Sequence, residues 1–402
     1  MFDPRSGQTN GSPVRIGPAL AGALERASGA IARLDQALDA HPLLPAFLYR
    51  VRLDAVRRQA AVDGQLIDPW HLAAVLEGLR LRMDHAMRII DRGVIFEAAR
   101  HALTLHQWLT LPDFDQEGEV KQAEAALATP EARLSPLLSA ALGMHAWLDQ
   151  DGTRPPIRAA LVRYWTRHDL LRSPIPLTGA AALSAETSWA VDAWIPVFLT
   201  ALADEADDGR QLLLDMERAW FNARHAVAGR RRNSRAAMAI DILAAAPLIS
   251  APSLAAGLGM ATKNALELLD SLCADGIAIE VTHRSKRRLF GLAGLAPLRD
   301  QVSAPRRPEP GRGRGRPPAI QDDAEPLPAS LPPPERPMTP LERRSINYSE
   351  LEAAMAHLEL TVRDTRRSLD ALAPGAPAPA SPSSDSGAGV DVPVAHEQKD
   401  RL

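Results

Sequence analysis

The sequence predicts a mainly α-helical protein. A helical bundle is followed by a winged helix-turn-helix and by a disordered tail that contains one helix. Three observations predict this. Hydrophobic residues make up 46% of the 402 residues while aromatics make up only 4%, and long Ala/Leu/Arg/Asp/Glu stretches repeat apolar residues at helical spacing. After residue 229 the composition shifts to a short unit with two β-branched runs around a basic loop. From about residue 301, Pro, Arg, Gly and Ser dominate.

The bulk chemistry excludes several classes. Formal net charge is −3, so overall charge names no partner. The single cysteine, Cys273, excludes a disulfide framework and a cysteine-rich zinc site. No apolar run is long enough to span a bilayer. The N-terminus MFDPRSGQTNGSP lacks the basic-then-apolar order of a signal peptide. The expectation is a cytoplasmic protein with no membrane association, no metal and no cofactor.

Residues 1–17 are rich in Gly, Pro and Ser and are expected to be disordered. Residues 18–228 are expected to be all-helical. ALAGALERASGAIARLDQAL carries apolar residues at helical spacing. HPLLPAFLYRVRLDAVRRQAAVDG and DPWHLAAVLEGLRLRMD each open on a proline-containing start signal. Asp68 before Pro69 is a good N-cap and first-turn pair. Residues 111–132 are acidic and predict a surface connection plus a short helix. Further helices are expected at 133–148, 155–171, 184–206 and 208–228, and no strand is expected before residue 277.

GRRRNSR at 229–235 predicts a basic hinge into a unit at 229–300. AAMAIDILAAAP is its first helix. Ser250 N-caps a second helix that ends at Gly259. Thr262 caps a third, stopped at Gly276. IAIEV and RLFGL are strands around the loop THRSKRR. This is the element order of a winged helix-turn-helix.

In such a unit the third helix enters the major groove with its N-terminal residues at the base edges, here Thr262, Lys263 and Asn264. Asn can pair with adenine, and Lys can reach guanine or phosphate. His283, Arg284, Lys286, Arg287 and Arg288 would sit on phosphates. Leu254, Leu258, Leu266, Leu269 and Leu272 fall to the core, and Cys273 is expected as a buried inert thiol. Winged helices also dock proteins. The five clustered basic residues of the wing favour double-stranded DNA.

Residues 301–346 are a Pro/Arg-rich linker. Within it, Arg314-Gly315-Arg316-Pro317 resembles an AT-hook, whose arginines follow the narrow minor groove of A·T-rich DNA. A plain solvated basic linker is the alternative. Residues 347–372 predict an amphipathic helix. Asn347 and Glu350 form a capping box, and Leu351, Met355, Leu358, Val362, Thr365, Leu369 and Leu372 alternate by four and three. That seam suits a homodimer through a coiled coil, or a helix that docks on its own chain. Residues 373–402 are expected to be a disordered tail.

From RAAMAIDILAAAPLISAPSLAAGLGM to the strands and LAPLRD, the chain resembles a bacterial, often plasmid-borne family. Its members join an all-helical domain of uncharacterised function to a C-terminal helix-turn-helix DNA-binding domain. The resemblance covers most of residues 18–300 and the 341–372 segment. The helical part is similar, more distantly, to Fic proteins, which transfer AMP from ATP to protein hydroxyls. The similarity rests on AAVDGQLID at 60–68, HAWLDQDGTRPPIR at 145–158 and the RAALVRYWTRHDLLRSPIPLTGAAAL that follows.

That resemblance implies His145 as catalytic base and Asp149 as metal-binding acid, with Trp147 in place of a Phe. It also shows departures. The family's Gly-Asn-Gly anion nest becomes Gln150-Asp151-Gly152. The arginine after it becomes Thr153, with Arg154 one place late, and the final arginine becomes Pro156. Gln restricts positive φ, Asp adds negative charge near a phosphate, and the aligned bidentate pairing is lost. The expectation is therefore a degenerate Fic-like scaffold with no assigned catalytic residue, carried by a DNA-binding transcriptional regulator. A Fic-type AMP transferase and a protein-interaction module of a plasmid maintenance system are the alternatives.

Overall fold

Apolar residues at helical spacing become helices along most of the chain. In order these are α1 (Pro18–Leu38), α2 (Leu44–Val62), α3 (Pro69–Leu76), α4 (Arg92–Thr110), α5 (Phe114–Ala128), α6 (Pro136–Asp149), α7 (Arg154–Arg167), a 3-10 turn (Ala180–Leu183), α8 (Val191–Ala226) and α9 (Ala236–Ala245). Then come β1 (Ile249–Ser250), α10 (Ala251–Leu258), α11 (Thr262–Ala274), β2 (Ala278–Glu280) and β3 (Leu289–Leu292). The computed structural model describes residues 17–67, 69–79, 92–128, 134–230, 234–284 and 286–296, and isolated positions 357, 360 and 361. The expectations for 1–16, for Arg314 and Arg316, for the 347–372 seam and for 373–402 lie outside the described residues. No helix among the described residues is long and apolar enough to cross a membrane.

α1 and α8 pack along each other. Leu20, Ala23, Ala27, Ile31, Leu34 and Leu38 form the buried stripe of α1. On α8 the stripe is Phe198, Leu202, Ala206, Gly209, Leu213, Met216, Trp220 and Ala223. This spacing passes through Asp207-Asp208-Gly209 without a change of phase. The two helices predicted at 184–206 and 208–228 are therefore one helix of 36 residues, which starts only at Val191 and leaves 184–190 as a turn. Gly209 is buried in the contact, where an added Cβ would lie 3.4 Å from Leu34.

α5 is longer than the short helix predicted within 111–132. A reciprocal capping box starts it. Gln116 N donates to Asp113 Oδ1 at 2.9 Å, and Asp113 N donates to Gln116 Oε1 at 3.0 Å. Val120, Ala123 and Leu127 then bury against α6 and α7.

In the C-terminal part, local signals act as read. Ser250 N-caps α10 by accepting from Ser253 N at 3.3 Å. Gly259 ends that helix at φ +58°, and Gly276 follows α11 at φ +69°. Thr262 is the first residue of α11 rather than its cap, which is Ala261 in an extended conformation. The two predicted strands pair antiparallel. The two-residue strand β1, unexpected before residue 277, adds to their other edge in the order β1-β3-β2. Register pairs Ile249 with Phe290 and Ala278 with Leu292. Cys273 is half-buried.

One hydrophobic core runs from Leu20 through the long helices to Leu295, across residue 229. Arg50 of α2 pins the junction. Its buried guanidinium donates to the carbonyls of Ala244 at 2.6 Å, Leu243 at 3.2 Å and Ala246 at 3.2 Å, capping the end of α9. A smaller cluster joins Ala73, Ala74 and Leu79 of the α3 region to Leu289 of β3 and to Leu248, Val281 and Ala296 beside the strands.

Candidate nucleic-acid interface

α11 buries Ala265, Leu269 and Leu272 and exposes Thr262, Lys263 and Asn264 on its first turn. Lys263 lies 3.8 Å from Glu267 one turn on, both well exposed. A pair of that kind is worth only a few tenths of a kcal/mol and leaves the ammonium available to another anion. Beyond the first turn the outer face turns acidic, with Glu267 and Asp270.

The loop from β2 to β3 is anchored at its root. The Glu280 carboxylate accepts from Thr282 N at 2.8 Å, from the Thr282 hydroxyl, and from His283 N at 3.2 Å. The Thr282 hydroxyl oxygen in turn accepts from Leu289 N at 3.3 Å. His283 and Arg287 take left-handed conformations, φ +50° and +53°, at the two bends.

The five basic residues of this loop do not play one role. Lys286 and Arg287 are exposed, while His283, Arg284 and Arg288 are half-buried. Arg288 bonds both oxygens of Asp270, at 2.6 and 2.8 Å, and its guanidinium lies 5.0 Å from the Phe290 ring centre. It is a strut between loop and α11. Asp270 and Glu280 carry no motif spacing toward the residues they hold. Asp270 meets Arg288 18 residues later, and only the Glu280–Thr282 pair is close enough to read as a local turn.

Thr262 and Leu266 of α11, Lys286 to Arg288 of the loop, Ser250 to Ser253 at the start of α10 and Leu76 to Leu79 after α3 line one groove of about 650 Å³. The fold thus brings Thr262 beside Lys286, Arg287 and Arg288. Lys263 and Asn264 sit on the same turn, and neither they nor His283 and Arg284 line the groove. Cations at its edge and an exposed helix start suit a polyanion.

The second set of predicted residues lies at the α6–α7 turn. His145 is buried, 7% exposed, with Nε2 2.9 Å from the carbonyl of Trp189. Its ring stacks on the Trp189 indole, 4.5 Å between centroids at 19°, and meets Trp194 edge-on at 5.3 Å. Trp189 Nε1 donates to Asp149 Oδ1 at 3.2 Å. One tryptophan therefore covers the would-be base and engages the would-be metal acid. Gly152 is needed for space, since an added Cβ would lie 2.4 Å from the Trp147 indole.

The arginines here are also engaged. Arg154 Nη1 donates to Asp63 Oδ1 at 2.7 Å, and Arg158 Nη1 donates to Oδ2 at 3.1 Å. His101 Nε2 lies 3.4 Å from the same carboxylate. Burial pushes the Asp63 carboxyl up, but Arg158, Arg154 and His101 hold it below the usual range. Burial lowers the Arg158 guanidinium, with Asp63 opposing. Pro155 and Pro156 supply no N–H to the first turn of α7. Both arginines of this segment are thus engaged with Asp63, and the first turn of α7 offers few backbone donors. Among the described residues, no group of three or more His, Cys, Asp or Glu converges as a metal site would. Asp63 and Trp189 were not legible as partners of this loop, because 91 and 44 residues separate them from Arg154 and His145.

No protein-family model and no curated protein matches the chain. Among solved structures it is similar to a Fic family protein from Desulfovibrio desulfuricans G20, with a TM-score of 0.33 and 14% identity over 70% of this chain and 98% of that one. A likeness of that size assigns no family.

Proposed function

We propose that residues 236–296 act as a winged helix-turn-helix on double-stranded DNA, and that the protein is a cytoplasmic transcriptional regulator. One observation carries this reading. Thr262, at the exposed start of α11, and the exposed Lys286 and Arg287 line a single groove. Lys263 and Asn264 then face base edges, Lys286 and Arg287 sit on phosphates, and Arg288 holds the wing against α11. Arg314 and Arg316 would follow an adjacent minor groove. Residues 347–372 would pair two copies for a two-fold site.

The test is retention of labelled duplex DNA by the purified chain across a salt series. Affinity should fall steeply with salt, by about 0.9 in log–log slope per phosphate contact. The double reversal Lys286→Glu, Arg287→Glu should abolish binding. Salt-insensitive binding that survives the reversal refutes the proposal. The acidic outer face formed by Glu267 and Asp270 favours one second reading, docking of a basic protein partner. No DNA retention together with a defined co-purifying protein would select it.

A further inference from the structure

Glu77 stands where its own helix disfavours it. α3 ends at Leu76, and the chain turns through Gly78 at φ +68°. Gly78 N donates to Val75 O at 2.9 Å and Leu79 N to Ala74 O at 2.9 Å, a hydrogen-bonded helix stop. This turn sends Leu79 into the cluster with Leu248, Val281 and Leu289. It also fixes Glu77, whose Oε2 accepts from the Ser253 hydroxyl at 2.7 Å. A carboxylate at the negative end of α3 is locally unfavourable. Its bonded partner lies across the groove. Ser253 is in the first turn of α10, and Lys286 and Arg287 line the same space as Glu77.

In a helix-turn-helix the first helix of the motif crosses the DNA backbone. Here the Glu77 carboxylate already holds the Ser253 hydroxyl in the first turn of α10, in the groove that Lys286 and Arg287 also line. We propose that Glu77 is a built-in competitor for DNA phosphate, and that the end of α3 must leave the start of α10 before a duplex can seat in the groove. This inference rests on the DNA-binding reading. It makes the helical part of the chain the regulator of its own DNA face, because α3 is the element that must move.

The test is fluorescence anisotropy with a labelled random-sequence duplex, comparing the full chain with Glu77→Gln, which keeps size and can still accept from Ser253. Glu77→Gln should bind about 3- to 10-fold tighter at low salt, with a log–log salt slope steeper by about one phosphate contact. Lys286→Glu in the same background should cancel the gain. Binding by Glu77→Gln but not by the unmodified chain would support the proposal most directly. Unchanged or weaker binding by Glu77→Gln, with the Lys286→Glu, Arg287→Glu double reversal still abolishing binding to the unmodified chain, overturns the competitor and leaves the DNA reading standing. No retention of duplex by either protein overturns both. Hydrogen exchange on the unmodified chain gives a readout without substitution. Amides of residues 73–79 should exchange faster when duplex is added, and equal or greater protection overturns the proposal.

Discussion

Replacing Arg50 with Met should weaken the whole described fold, including residues 236–296, in a single transition. Arg50 sits on α2, yet its guanidinium is spent on α9. The last carbonyls of any helix lack partners within it. Here Leu243, Ala244 and Ala246 find theirs in one buried side chain. Met keeps the stem and most of the volume but removes the donors. Each carbonyl then left without a partner costs about 1–3 kcal/mol. Against this, Met escapes the burial penalty that pulls the guanidinium well below its ordinary value, to about 10. That relief is about 3 kcal/mol. Taking the middle of the range for each carbonyl leaves a net loss of about 3 kcal/mol. Urea unfolding should be followed by tryptophan fluorescence and, in parallel, by hydrogen exchange at α9 to α11. The two probes should give coincident transitions, both shifted to lower urea. Two separable transitions, or a shift under about 0.5 kcal/mol, the level of an ordinary surface substitution, would refute the claim that α2 and α9 share one core.

Burial, with a smaller contribution from Arg52, lowers His106 from 6.5 to about 4. The folded state therefore prefers the neutral ring, so its contribution is complete above pH 6.5 and is lost as pH falls toward 4. Stability should drop by about 3 kcal/mol across that window, and His106→Leu should flatten the profile in urea titrations at stepped pH. Glu205 is buried and accepts from Thr178 N at 2.7 Å, Gly179 N at 3.0 Å and Ala180 N at 2.8 Å, so Glu205→Gln, which loses an acceptor oxygen, should cost about 1–3 kcal/mol by thermal unfolding; an unchanged midpoint would contradict it. Gly179→Ala should be worse than an ordinary glycine change, since φ is +60° and the new Cβ would lie 2.5 Å from the Phe198 ring; tolerance of alanine there would mean that the turn can repack. His145→Ala should lower the melting temperature by removing the ring stacked on Trp189, while labelled ATP should leave no AMP on protein with or without His145. Transfer that depends on His145 would refute the packed-ring reading.

Much of the fold was legible because it is local. Ser250, Gly259 and Gly276 mark helix ends through bonds and φ values confined to a few residues. The apolar period of α8 is in the letters too, and it runs unbroken through Asp207-Asp208-Gly209, where the prediction separates two helices. The two-residue strand β1 could not be read, since Ile249-Ser250 has strand geometry only because β3 lies beside it. Lys263, Lys286 and Arg287 stand exposed, as their place in a helix start and a basic loop leads one to expect.

What the sequence by itself determined is the run of helices, their caps, the position of the basic loop, and the loss of glycine and aligned arginine at 150–156. Tertiary structure alone decided which charges are spent and which are free to act. Arg288 is given to Asp270, Arg154 and Arg158 to Asp63, Arg50 to the end of α9, and Ser253 to Glu77. His145 is closed under Trp189. The physical reason is range. Periodicity and capping act over one or two helical turns and leave their trace in adjacent letters. A charge takes its partner from whatever the packing brings within hydrogen-bond reach, at separations from 18 to 196 residues here, and no spacing rule encodes that choice.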